Sequence, residues 1–293
     1  MGGLAMNIQD IKKIGVVGAG QMGSGIAEIL VATGYPVIMR DVNEAAVEKG
    51  KKRISSDFDR RVQKGRMTAD EQKTAFGRLS ATTRLEDLKD CDLVIEAASE
   101  NINIKKEVFQ TLDEVTPKSA VLASNTSSIS ITRIGSFTKR PDKVVGMHFF
   151  LPAPVMKLIE LVRGLVTSDE TFQIAKELSV KLGKTPLTAN DQPGFISSRL
   201  IFNYMNEGIY ALYEGLGSKE EIDSMMKMGA NHPMGPIELA DLVGLDTVLS
   251  VMKILQEAFG ARYHPCPLLT QYVEAGFLGA KTGRGFYAHG EKK

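Results

Sequence analysis

His148 closes the apolar run VVGMHFF, and Glu160 lies inside the next one, MKLIELV. An imidazole can take and return a proton near neutral pH, and a fixed carboxylate beside it sets the ring's tautomer and steadies the imidazolium. The chain holds only four histidines, so one placed between two apolar runs is a candidate general acid/base. Residue types alone leave a second explanation, a buried histidine with a satisfied hydrogen bond and a glutamate at a strand edge. Another constellation, Gly18-x-Gly20-x-x-Gly23, lies in GVVGAGQMGSG. Between a strand and a helix, such glycines let backbone N–H groups and a helix N-terminus meet a pyrophosphate. About twenty residues further on, Arg40-Asp41 supplies an acid that can accept the hydrogen bonds of an adenosine ribose and that repels a 2′-phosphate. NAD is therefore expected over NADP, with Arg40 the one cation there that could help to hold a phosphate.

These residues need a frame. The β-branched run 14–17 reads as a strand, and from Gln21 onward Met22, Ile26, Ile29 and Leu30 recur at helical spacing. Further strands are expected at 36–39, 92–97, 120–123, 143–150 and 184–189, with helices at 104–115 and 169–182. That alternation predicts an α/β fold, a Rossmann-type doubly wound, mainly parallel sheet with ligands at the strands' carboxyl ends. SNTSS and the His148 region each follow a strand, so both should face that crevice. A helical hairpin at about 44–78 interrupts the order, its second helix opened by the capping box Thr68-x-x-Glu71. Its charged stretch KKRISSDFDRRVQKGRM suits a solvated helix pair or a basic arm that meets a polyphosphate or an anionic carrier. Beyond NDQPGF the β-pattern stops. Residues 192–293 therefore read as an all-α C-terminal domain after a dinucleotide-binding domain at 1–191. Apolar helix faces there predict packing against the first domain and a second subunit, a homodimer.

Composition narrows the function. Apolar content of 43% and charged content of 24% are those of a soluble globular protein. A net charge of +1 gives no reason to expect nucleic acid or a membrane as partner. Cys91 and Cys266 form no C-x-x-C motif, which fits a reduced, cytoplasmic setting. MGGLAMNIQD lacks the basic and apolar regions of a signal peptide, and Met6 breaks the myristoylation pattern. His148, His232, His264 and His289 are too dispersed for a metal site, and none is expected.

Taken together, GVVGAGQMGSGIA, ASNTSSISIT, GMHFFLPAPVMKLIELV, DQPGFISSRL, HPMGPIELADLVGLDT and KTGRGFY resemble the L-3-hydroxyacyl-CoA dehydrogenase family over nearly the whole chain. The similarity is closest to the bacterial 3-hydroxybutyryl-CoA dehydrogenases. The resemblance implies a Rossmann-type domain with an inserted helical hairpin, a helical dimerisation domain, NAD as cofactor and an acyl-CoA thioester as substrate. It implies His148 as the catalytic base, Glu160 as its carboxylate partner, and Ser127 as a contact of both the substrate oxygen and the nicotinamide. Gly18, Gly20, Gln21, Met22 and Gly23 would form the cofactor turn and Asp41 would hold the ribose. Glu100, Lys105 and Lys281 match cofactor-contacting positions, and Lys64 matches a position that contacts CoA.

Two positions depart from the family. Leu151 stands where Asn usually follows HFF, and Ser198 of PGFISSR stands where Asn usually lies beside the catalytic histidine and substrate. Leucine cannot replace an amide's hydrogen bonds, and serine is shorter with a single hydroxyl. The expected consequence is reduced activity or a pocket adapted to another acyl-CoA. A dehydrogenase for a free hydroxy acid or sugar acid, and a dinucleotide-binding protein without catalysis, are the alternatives.

Overall fold

The computed structural model describes residues 6–290, so the first five residues of MGGLAMNIQD and the last three of the chain lie outside it. The chain divides into two compact units, one ending at Asp191 and one beginning at Gln192. The first carries β1 (Ile14–Val17), α1 (Gln21–Thr33), β2 (Val37–Arg40), α2 (Glu44–Gln63), α3 (Ala69–Phe76) and β3 (Leu79–Thr82). It continues with β4 (Leu93–Glu96), α4 (Ile102–Val115), β5 (Val121–Ser124), α5 (Ile131–Gly135), β6 (Val144–Phe149), β7 (Leu158–Arg163), α6 (Asp169–Lys181) and β8 (Thr185–Asn190).

The eight strands form one sheet in the order β3-β2-β1-β4-β5-β6-β7-β8. Neighbours from β3 through β6 are parallel, β7 runs antiparallel to β6, and β8 is parallel to β7. This is the expected doubly wound, mainly parallel sheet. β1, β4 and β5 (IGVV, LVIE and VLAS) are buried along their whole length, as strands covered by helices on both faces must be. The sequence of strands reverses direction between β1 and β4, and the carboxyl ends of strands diverge there to leave a crevice. β3 has no apolar alternation and is half-exposed at the sheet edge; only its pairing with β2 makes it a strand.

The hairpin of α2 and α3 forms where the charge pattern places it. Asn43 caps α2 by accepting from the Ala46 N–H, and Thr68 and Glu71 cap α3 reciprocally. Val47, Gly50, Ile54 and Phe58 make one buried stripe on α2, leaving its remaining faces to Lys and Arg. The core of this unit joins Ile54 and Phe58 of that stripe to Ile14, Ile26, Leu30, Leu93, Val121 and Met147.

The second unit contains α7 (Ser197–Tyr213), α8 (Lys219–Gly229), α9 (Pro236–Val243), α10 (Leu245–Phe259) and α11 (Pro267–Glu274). The apolar stretch 237–259 is two helices, because Gly244 sits between them at φ +101°. Their core includes Met205, Ile209, Ile237, Leu245, Met252 and Phe286. Asp223 accepts from the first N–H groups of α9 and from the Tyr287 hydroxyl. Asp241 accepts from the backbone of Phe286 and Tyr287, so two buried acids fasten the C-terminal GRGFY segment. No helix among the described residues is long and apolar enough to cross a membrane.

Candidate active site

At the β1–α1 turn, Gly18 has φ +107°, and a methyl group on it would lie 2.5 Å from the Ala97 carbonyl oxygen beyond β4. A methyl on Gly23 would lie 1.8 Å from the Gly18 carbonyl oxygen, so only glycine lets the helix start this close to the strand. Gly20, the N-cap of α1, meets nothing within 4 Å in the direction of a side chain. Gln21 and Met22 begin the helix, whose first N–H groups have no partner within the helix itself. Asp41 follows β2 and reaches back to this turn. One carboxylate oxygen accepts from the Ala19 N–H at 2.6 Å and the other from the Val42 N–H at 2.7 Å. Arg40 is held to the side, its Nε donating to the Thr83 carbonyl oxygen at 3.1 Å. Open backbone donors at a helix N-terminus, with an acid rather than a free cation at the end of β2, fit the pyrophosphate and unphosphorylated ribose of NAD.

His148 and Glu160 are direct cross-strand partners in the antiparallel β6–β7 pair, so their side chains share one face of the sheet. Nδ1 of His148 lies 3.0 Å from Oε2 of Glu160, and the two residues are 8% and 4% exposed. An ionised carboxylate only accepts, so this contact assigns the ring proton to Nδ1 and leaves Nε2 as the basic nitrogen. The Phe150 ring lies 4.6 Å from the imidazole, centre to centre.

SNTSS begins at the end of β5, beside β6. The Asn125 side chain accepts from the Phe149 N–H at 2.8 Å and so ties this loop to the histidine strand. Oε1 of Glu100 accepts from the Thr126 hydroxyl, from the Ser127 and Ser128 N–H groups at 3.0 and 3.1 Å, and from the Ser128 hydroxyl at 2.9 Å. Burial pushes the Glu100 carboxyl up, but the Lys105 ammonium and these hydrogen bonds together hold it below the usual carboxylate range. Lys105 is itself buried and bonds Glu96 at 2.7 Å.

Along α2 runs a groove of about 980 Å³, lined by Lys49, Lys52, Arg53, Arg60, Arg61 and Lys64 together with Arg66. Leu151 to Val155 also line it, and Leu151 is half-exposed. Buried Glu28 at its floor lies 3.3 Å from Arg61. Two of the expected site residues belong to the second unit. Ser198 is buried in the first turn of α7. Lys281 pairs with both carboxylate oxygens of Asp246 at 2.5 and 2.6 Å.

Sequence reading missed several residues that hold these groups. Asn125 had a signal, a polar residue next to the strand end in SNTSS. Glu96 had one too, a charge closing the apolar run LVIE. Arg53, whose Nη1 donates to the Ala19 carbonyl oxygen at 3.2 Å, was hidden among many cations of the same helix.

Comparison with known proteins identifies the family. Residues 13–192 match the NAD binding domain of 3-hydroxyacyl-CoA dehydrogenase, and residues 194–289 match the C-terminal domain of the same family. The chain is 51% identical over 284 residues to the probable 3-hydroxybutyryl-CoA dehydrogenase of Bacillus subtilis, covering 97% of this chain and 99% of that protein. It is 49% identical over 278 residues to the 3-hydroxybutyryl-CoA dehydrogenase of Bradyrhizobium diazoefficiens, covering 94% and 95%. Among solved structures, (S)-3-hydroxybutyryl-CoA dehydrogenase from Ralstonia eutropha superposes with a TM-score of 0.91 at 46% identity, covering 96% of this chain and all of that one.

Proposed function

The chain belongs to the 3-hydroxyacyl-CoA dehydrogenase family, and from that premise we propose that this NAD-dependent oxidoreductase interconverts short-chain L-3-hydroxyacyl-CoA, with 3-hydroxybutyryl-CoA foremost, and the corresponding 3-ketoacyl-CoA. The buried His148–Glu160 contact at 3.0 Å carries this reading. In the oxidation, Nε2 of His148 takes the hydroxyl proton of the substrate. Glu160 holds the ring through Nδ1–H and stabilises the imidazolium as it forms. NAD held at the Gly18–Gly23 turn would supply the acceptor for the hydride leaving the carbon that bears this hydroxyl, and NADH would supply the hydride for the reverse reaction. In the reduction, the His148 imidazolium returns its proton to the developing alkoxide, and the Ser127 hydroxyl donates to that oxygen as charge gathers on it.

The cofactor is held by the turn from Gly18 through Gln21 and Met22 to Gly23, with Asp41 on the ribose. Glu100, with Lys105 behind it, and Lys281 are the remaining residues proposed to act on it. Lys64 and the neighbouring cations of α2 take the phosphates of CoA, and Ser198 contributes to substrate binding from the helical unit. That unit also serves as the dimer-forming part of the protein. The apolar hollow lined by Leu200, Ile201, Pro233, Met234 and Leu239, with exposed Met225 and Met228, supports a homodimer.

The test is NADH consumption by the purified protein with acetoacetyl-CoA. Turnover that disappears in His148→Ala is expected. Absence of turnover, or faster turnover of free hydroxy acids than of thioesters, would refute the substrate reading.

A further inference from the structure

We propose that Glu96 is a positioning residue for this reaction, acting through Lys105 and Glu100 on the backbone that carries Ser127. The role at the reaction rests on the dehydrogenase reading above; the positioning itself rests on geometry alone.

Glu96 is the last residue of β4, flanked by Val17 of β1 and Ser124 of β5, at the point where the strand order reverses. It has no solvent exposure. A carboxylate in such a place is costly unless its oxygens are hydrogen-bonded and its charge is met. Both conditions hold. Lys105 Nζ lies 2.7 and 2.9 Å from its two oxygens, the Ser124 hydroxyl donates at 2.7 Å, and the Ala98 N–H donates at 2.8 Å. None of the steps assigned to His148, Glu160 or Ser127 uses this group.

Lys105, also buried, lies 3.4 Å from the Glu100 carboxylate on its other side. An ammonium has three N–H donors, and here it meets three carboxylate oxygens, two of Glu96 and one of Glu100. Engaged in this way, Lys105 influences a bound cofactor through Glu100 rather than by direct contact. Glu100 is the exposed end of the series, with its side chain 30% accessible. Yet one of its oxygens gathers the hydroxyls and backbone N–H groups of three consecutive residues, Thr126 to Ser128. A half-open glutamate has several rotamers available. The one that grips the loop is selected by the Lys105 charge, and Lys105 is fixed in turn by Glu96. The series Glu96, Lys105, Glu100 therefore transmits the rigidity of the central strand to the loop bearing Ser127.

The test compares Glu96→Gln with wild type in four measurements: thermal stability, amide hydrogen exchange of segment 124–129 without cofactor, kcat and KM, and kcat in a Ser127→Ala background. Exchange at residues 127 and 128 should quicken about tenfold or more while β1 and β5 stay protected. The kcat should fall about 10- to 100-fold with KM nearly unchanged, because the loss is one of alignment. In the Ser127→Ala background most of that loss should vanish, since the two substitutions remove the same contribution. Unchanged exchange at 127 and 128, or an equal loss of kcat in both backgrounds, would overturn the proposal. Should Glu96→Gln fail to fold, Glu100→Gln at its accessible position must give the same exchange signature, and unaltered exchange there refutes the proposal equally. A wild-type protein inactive on hydroxyacyl thioesters would instead refute the dehydrogenase reading, leaving the exchange result to decide the positioning.

Discussion

Replacing Glu160 with Gln changes a charge while keeping the shape of the His148 partner. In the oxidation the imidazole is neutral in the ground state, so the carboxylate's attraction for positive charge develops only as the proton is transferred. Full charges at about 4 Å interact by about 4 kcal/mol at an effective dielectric constant near 20. With about half a charge developed at the transition state, about 2 kcal/mol of that is at stake. Exchanging a charge-assisted hydrogen bond for a neutral one removes about 1 kcal/mol more. The amide can also turn its NH₂ toward Nδ1, which puts the ring proton on Nε2 and disables the base. The expected loss is therefore about 2–4 kcal/mol, or about 30- to 1,000-fold in kcat. Initial rates with 3-hydroxybutyryl-CoA and NAD measure it, and thermal unfolding checks that the buried pair, 3.0 Å apart in the native protein, has not simply collapsed. In a His148→Ala background the same substitution should cost kcat far less, because the proton transfer that the carboxylate assists is gone. A Glu160→Gln enzyme within about threefold of wild type, or a full additional loss without His148, would refute the reasoning.

Asp41→Ala should lower the preference for NADH over NADPH by about tenfold or more by removing the acid that repels a 2′-phosphate; an unchanged ratio would show that Arg40 or other groups set it. Lys64→Ala should raise KM for acyl-CoA about three- to tenfold with little change in kcat, and the effect should shrink as salt is added. Steady-state kinetics at two ionic strengths would contradict this if kcat fell instead. Glu28 gives a pH prediction: its burial pushes the carboxyl up, and Arg61 only partly offsets that. The folded protein thus retains this proton at pH values where the unfolded chain has released it, so the contribution of Glu28 to stability declines as pH rises from the unfolded value through the folded one. Glu28→Gln should then stabilise the protein at about pH 8 more than at about pH 4, and equal shifts in urea midpoint at both pH values would disprove it.

The parts of this site legible in the sequence were those written in local spacing. The glycines lie between a β-branched run and a helical apolar repeat, and the Thr68 capping box closes within a single helical turn. The facing of His148 and Glu160 was half legible. Both stand in apolar runs, and the connection from Phe149 to Leu158 is too short for a parallel crossover, which needs about a dozen residues or more. An antiparallel turn was thus implied, and with it a direct pair. β3 was not legible, because an edge strand with the sequence LSAT is defined by its neighbour rather than by its own pattern. Nor was the Glu96–Lys105–Glu100 series, which joins a strand end, a helix and a loop. The family motif named Glu100 and Lys105, but only their placement reveals that each acts on the other, and Glu96 lay concealed as the last letter of an apolar strand.

The two departures from the family pattern differ in physical weight. Leu151 is 48% exposed and lines the α2 groove together with Pro152 and the cations. Polar groups facing it can turn to water, so the amide missing there leaves little unsatisfied, while the added apolar surface alters how the groove edge grips its ligand. Such a change acts on binding more than on the chemical step. Ser198 is 2% exposed, and at that burial a partner group that loses an amide cannot recruit bulk water in its place. Serine in place of an amide is therefore the weightier of the two departures. If the protein is the dehydrogenase proposed, the expected mark of the serine is on turnover and that of the leucine on preference among acyl-CoA ligands.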